Sequence, residues 1–357
     1  RMLLSGRIIN VKCLKPGANG PLIKLKRQNA CRFLFTSLFL HAFCFVGMPQ
    51  ATAASLIVKV NPIKLDLEKP GREFFGDLTF LSGFELTSGD SRFGGLSGLE
   101  LSMDGNLLYA VSDHGYWLTA RLHHNPQGRL TGLGQWKIAP LLTPDGSIVS
   151  RYLRDAEALV RDWDGSFIVA FERAHRLWRY PRSAGALTSL PEPLPTPAGL
   201  QKAPTNGGLE AVTILPDRHI LALTEKYVNP DGSLKGWLIH KDKFFPLSYL
   251  QSDGFKPTDL ATLASGDVLL LERRYSLISG VTVRIRLLSR GNLKAEARLE
   301  GKGIALLGPP LEVDNFEGLA VREDPKGGSF LYMISDDNYS ILQRTLLLQF
   351  YLPSSTH

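Results

Sequence analysis

Beyond about residue 55 the apolar residues come in short runs, many alternating with polar ones, broken by Gly, Asp and Pro. No stretch keeps helical spacing over four turns, so the pattern predicts strands throughout. Five segments follow one plan: a small or acidic start, an apolar run, a turn, a second apolar run and a charged end. The starts are Ser97, Glu157, Glu210, Asp259 and Glu317, so successive units lie 60, 53, 49 and 58 residues apart. Their turns are Asp104-Gly105, Asp164-Gly165, Pro216-Asp217, Ser265-Gly266 and Lys326-Gly327-Gly328. Asp-Gly between apolar runs is the strongest short-range hairpin signal.

Further β-rich runs complete three or four strands per unit, the arithmetic of a propeller blade. The expected fold is all-β, a single β-propeller. Strand-like runs at 56–60, 78–86 and 341–350 flank the five units. Combined into one blade, the N- and C-terminal strands would remove open sheet edges, which predicts six blades. The Pro-rich segment 191–197 reads as a loop within the second unit. The five tryptophans, nearly one per unit, read as packing between blades.

Composition adds a division of the chain. Of 357 residues 44% are hydrophobic, enough for a large core, and the net charge is +7. Residues 1–54 hold eight Lys and Arg and no acid, leaving 33 basic against 34 acidic residues beyond them. The folded part therefore lacks the basic footprint of a nucleic-acid binder. A basic stretch, an apolar run over 33–48 and the small residues Ala51-Thr52-Ala53-Ala54 read as a secretory signal cleaved near Ala53/Ala54. The apolar run is too short for a membrane anchor. The expectation is thus a leader over 1–54 and an exported domain over 55–357, secreted or periplasmic, with no stable membrane insertion. Cys13, Cys31 and Cys44 all lie in the leader, so the domain has no disulfide, thiolate metal site or Cys nucleophile.

In a propeller the innermost strands line a central channel, and their leading ends open at one mouth. Glu157, Glu210, Asp259 and Glu317 are expected to converge there. Gathered carboxylates bind a hard divalent cation such as calcium, or share protons at raised pKa. Asp113, Glu172, Glu225, Glu272 and Asp336 end the returning strands and are expected at the same mouth, with Arg273 beside them. A purely structural role, accepting backbone N–H bonds between blades, fits the same acids. The neighbouring cations Arg154, Arg173, Lys226, Arg273 and Arg274 either neutralise the acids or clamp an anion. Gly95-Leu96-Ser97-Gly98 lacks the second glycine of a nucleophile elbow. There is no phosphate loop, dinucleotide fingerprint or His-Glu-x-x-His, so no nucleotide or redox cofactor is expected.

Several segments together resemble one family: Phe93-Gly94-Gly95-Leu96-Ser97-Gly98-Leu99, Ser112-Asp113-His114-Gly115, Asp155-Ala156-Glu157-Ala158, Gly207-Gly208-Leu209-Glu210-Ala211, Pro257-Thr258-Asp259-Leu260, Leu271-Glu272-Arg273-Arg274-Tyr275 and Asn315-Phe316-Glu317-Gly318-Leu319. They are similar to the phytase-like domain, described as "esterase-like activity of phytase". The resemblance implies an exported propeller. By analogy with propeller phytases it also implies cations in an acidic mouth that present phosphate esters to water. Glu317-Gly318-Leu319 is similar to the opening motif of gluconolactonase and regucalcin propellers, whose Glu is a metal ligand. Two functions follow as expectations: a metal-assisted hydrolase of a small phosphate or carboxylic ester, or a non-catalytic propeller binding a ligand or protein at the mouth.

Overall fold

The computed structural model describes residues 52–181, 186–278 and 280–354, which build five β-sheets arranged as a five-bladed propeller. The leader expected over 1–54, with its three cysteines, lies outside the described residues except for its last three positions. Among the described residues no helix is long and apolar enough to cross a membrane.

Each repeat unit supplies one innermost strand: Leu96–Leu101 in blade I, Ala156–Arg161 in blade II, Leu209–Ile214 in blade III, Lys256–Thr262 in blade IV and Phe316–Glu323 in blade V. These five neighbour one another in order, and the fifth returns to the first. The second strands, such as Phe167–Phe171 and Ser329–Ser335, are apolar at nearly every position because both of their faces are covered. Alternate residues feed alternate gaps. Phe167 and Val169 pack with Val111 and Trp117 of blade I, whereas Ile168 and Ala170 pack with Val212 and Trp237 of blade III. Five apolar clusters fill the five gaps in this way. Trp117, Trp136, Trp178 and Trp237 sit in them as expected, but Trp163 is 55% exposed.

Five blades replace the expected six. The terminal segments do pair with each other, through Leu78–Thr87 against Thr345–Leu352, with Leu347 opposite Phe84. That pair is not a separate blade. Thr345–Leu352 also pairs with Ser329–Ser335 and is the third strand of blade V, so the N-terminal strands become its outer strands. No sixth innermost strand exists among the described residues. A smaller correction concerns segment 191–197, where Glu192–Leu194 is the edge strand of blade II. An edge is where a strand tolerates Pro193.

Every innermost strand carries a register shift at the same point of its pairing with the second strand. The residues passed over are Ser97, Glu157, Glu210, Thr258 and Glu317. A bulge re-aims its side chain, and a one-residue offset moves a side chain to the other face. Blade IV is thus offset by one from the alignment expected of it: Thr258, and not Asp259, is the equivalent of Glu157. Ser97 Oγ donates to the Ala156 carbonyl at 2.6 Å, and Thr258 Oγ1 to the Phe316 carbonyl at 3.2 Å. Both clasp the next blade just before its bulged glutamate. Asp259 is buried and accepts from the N–H of Leu260 at 2.8 Å and of Leu319, in blade V, at 2.7 Å. Replacing Asp259 by Ala strands these donors and is expected to cost about 1–3 kcal/mol of stability in urea unfolding. An unchanged midpoint would contradict the clasp.

Candidate functional site

The offset in blade IV recurs on the second strands. The N–H groups of Asp113, Glu172, Glu225 and Asp336 bond to the carbonyls of Gly95, Asp155, Gly208 and Asn315, an equivalent set of positions two residues before the bulge. In blade IV the equivalent of these acids is Arg273, which stands opposite Lys256. Two rings result. One holds Ser97, Glu157, Glu210, Thr258 and Glu317, the other Asp113, Glu172, Glu225, Arg273 and Asp336.

These rings enclose a cavity of 270 Å³ at one mouth of the channel. Eight carboxylates line it against three cations: Asp155 joins the acids, and Arg173, Lys226 and Arg273 are the bases. Asn206 and Asn338 complete the lining. Of the expected site residues, Glu157, Glu210, Glu317, Asp113, Glu172, Glu225, Arg273 and Asp336 are brought together. Asp259 and Glu272 are not. Glu272 is fully buried away from the mouth, where it accepts from Tyr249 Oη and Arg284 Nε, each at 2.7 Å. Asp155 was missing from the expected set, yet it stands two residues before Glu157, and period two puts such residues on one face of a strand.

Each cation is already paired: Arg173 with Asp155, Lys226 with Glu225, and Arg273 with Glu317 at 2.8 Å. Glu317 also accepts from Asn315 Nδ2 at 2.9 Å. Glu172 is held by the N–H groups of Gly207 and Gly208, and Glu210 lies with it in the lining of the cavity. Burial, then the charge of Glu172, drives the Glu157 pKa well above the carboxylate range; burial followed by Glu157 does the same for Glu210. Asp336 is raised by burial and by Glu317. Burial, with Asp155 and Glu317 nearby, pushes Asp113 up to about 7. A Cβ on Gly95, whose φ is +61°, would collide with the Asp113 carboxylate, so glycine leaves room for that acid.

Carboxylate oxygens of Asp155, Glu157 and Glu172 lie within 4.8 Å of one another. The lining contains neither histidine nor cysteine, and an all-oxygen donor set suits a hard cation such as calcium. Asp113 Oδ1 is buried without a hydrogen-bond partner. The residues present therefore fit a divalent cation. The opposite mouth holds a cavity of 400 Å³ lined largely by apolar residues. Its half-buried acid, Glu100, is already bonded to the N–H of Arg161 at 3.0 Å.

The profile of a family described as "Phytase-like: Esterase-like activity of phytase" matches residues 91–339. The chain belongs to the phytase-like family. No curated protein matches this phytase-like chain. Among solved structures it is similar to a putative gluconolactonase, at 13% identity over 86% of this chain and 95% of the other, with a TM-score of 0.42. A gluconolactonase from Xanthomonas campestris matches at 12% identity over 87% and 89%, with a TM-score of 0.41. The virginiamycin B lyase of Staphylococcus aureus matches at 10% identity over 82% and 99%, with a TM-score of 0.40. Likeness at this level assigns none of these activities to the phytase-like chain.

The raised carboxyls predict an inverted pH profile for cation-free protein. Unfolded Asp and Glu ionise near 4, whereas folded Asp113 does so at about 7 and Glu157, Glu210 and Asp336 are also raised. Between those limits the folded chain holds more protons, so stability falls as pH rises. In excess chelator the melting temperature should drop from pH 5 to pH 8, and excess calcium should abolish the drop. A melting temperature that rises or stays level in chelator would contradict the assignment.

Proposed function

We propose that this phytase-like propeller is an exported, metal-assisted hydrolase of phosphate or carboxylic esters, acting at the acidic mouth. The observation that carries the reading is the excess of carboxylates over cations in the lining of the mouth, with three carboxylates converging on one point. When bound by Asp155, Glu157 and Glu172, a hard divalent cation such as calcium supplies positive charge that acidifies water and offsets charge developing on ester oxygens. The chain's own groups do the rest. Glu210, whose pKa is raised by burial and by the neighbouring Glu157 and Glu172, is the group that passes a proton during ester cleavage. Arg273 approaches from blade IV, the one blade that contributes a base to the ring, and orients an anionic substrate. The walls of the cavity limit the substrate to a small ester group.

A second reading is a propeller that binds a ligand or protein without turnover. The pairing of all three cations with acids favours it, because each must leave its carboxylate before clamping an anion. The two readings separate by assay. On the hydrolase reading, Glu210→Gln lowers calcium-dependent cleavage of p-nitrophenyl phosphate or p-nitrophenyl acetate by about 100-fold or more, while Asp259→Asn cleaves at the wild-type rate. Calcium binding by the wild type with no cleavage of either ester would leave the binding reading standing and remove the catalytic one.

A further inference from the structure

Of the three acids that converge at the mouth, Asp155 and Glu157 stand at the head of an innermost strand, whereas Glu172 follows the second strand of blade II. Its hold comes from the neighbouring blade. One oxygen, Oε1, accepts from the N–H of both Gly207 and Gly208, which leaves Oε2 outside this cradle. The carbonyls of the same two glycines accept from the N–H of Lys226 at 3.2 Å and of Glu225 at 3.1 Å. Gly207-Gly208 is therefore a joint, with its donors on Glu172 of blade II and its acceptors on the second strand of blade III. Where this backbone lies sets where a ligand oxygen lies.

Three residues beyond Glu172, His175 is 4% exposed, and neither of its ring nitrogens has a hydrogen-bond partner among the described residues. A buried polar group without a partner calls for an explanation, and here the explanation is shape. A Cβ on Gly208 would collide with Nδ1 and Cε1 of the imidazole. Gly208 does not have the positive φ that calls for glycine, so it is the His175 ring that requires a residue without a side chain. On Gly207 a Cβ would collide with the stem of Lys226. The joint is wedged between these two side chains.

The imidazole is itself fixed. The His175 carbonyl accepts from Gln201 Nε2 at 2.6 Å, and the N–H of Arg173 bonds to the Thr205 carbonyl at 3.2 Å. Arg176 lies over the rings of Phe171 and Trp178, 3.9 and 4.2 Å from their centroids, and donates to the carbonyls of Leu153 and Ala174. The turn that carries His175 is thus tied down on both sides.

We propose that His175 is a positioning residue for the cation site. Its ring, seated against Gly208, fixes the two N–H groups that hold Glu172 and so presents that carboxylate to the point shared with Asp155 and Glu157. His175 is absent from the lining of the cavity. It acts through Gly208 and Glu172, as the groups behind a metal ligand orient that ligand. This role rests on the cation reading of the mouth.

The test is calcium titration by calorimetry at pH 8, with urea unfolding in excess chelator as the measure of stability. His175→Ala should weaken calcium binding by about tenfold or more, and Gly208→Ala should do the same because its methyl displaces the ring or the backbone. In His175→Ala/Gly208→Ala the methyl enters space the ring has left, so the double variant should bind more tightly than Gly208→Ala alone. Independent sites would instead lose the product of the two single effects. Asp259→Ala, which removes a clasp that does not line the mouth, should lower the urea midpoint and bind calcium like the wild type. Wild-type affinity in His175→Ala would overturn the proposal, as would independent losses in the double variant or an equal loss of affinity in Asp259→Ala. A wild type that binds no calcium would remove the cation reading and this role with it, a result distinct from the other three. Either single variant carries the test if the other does not fold.

Discussion

One bulge, repeated five times, determines what this protein can do. At the head of each innermost strand a residue is passed over by the pairing, and in three blades it lines the acidic mouth. In blades II, III and V that residue is glutamate, so the fold itself forces carboxylates together. Hydroxyls at the same point in blades I and IV close the ring by clasping the next blade. The apolar clusters between blades hold the five strands at a spacing that the acids alone would resist.

That resistance is the source of the chemistry. Like charges confined in a small space resist being ionised together. Part of the charge is offset locally, by Arg173, Lys226 and Arg273 and by the backbone N–H groups of Gly207 and Gly208. Part is removed by protonation, which burial and like charge favour at Glu157, Glu210 and Asp336. The remainder is a demand for positive charge at Asp155, Glu157 and Glu172. Proton and cation compete for the same oxygens, which ties the stability of the fold to the occupancy of the site.

Much of this was legible in the residues before any coordinates. The five units were visible because each contains the same hairpin signal and the same charged end. The count of blades was misread because strand propensity at the termini does not say which edge a strand joins. Only pairing shows that Thr345–Leu352 already belongs to blade V. The site was misread in one blade for a reason of register. In 257–259 and 271–273 an acid stands one place from the aligned position, and alternation of side chains turns that single step into opposite destinations. Asp259 became a clasp and Glu272 a buried partner of Arg284, while Arg273 took the ring position. Asp155 could have been found from its spacing to Glu157.

The central claim is that acids gathered at the mouth hold a hard cation. The most direct test is the crystal structure of the protein grown at pH 8 with manganese, recorded at a wavelength that reveals the metal's anomalous signal. The account predicts one strong peak among the carboxylates of Asp155, Glu157 and Glu172. A mouth with no anomalous peak, its carboxyl groups bonded only to one another and to their neighbouring bases, would contradict it.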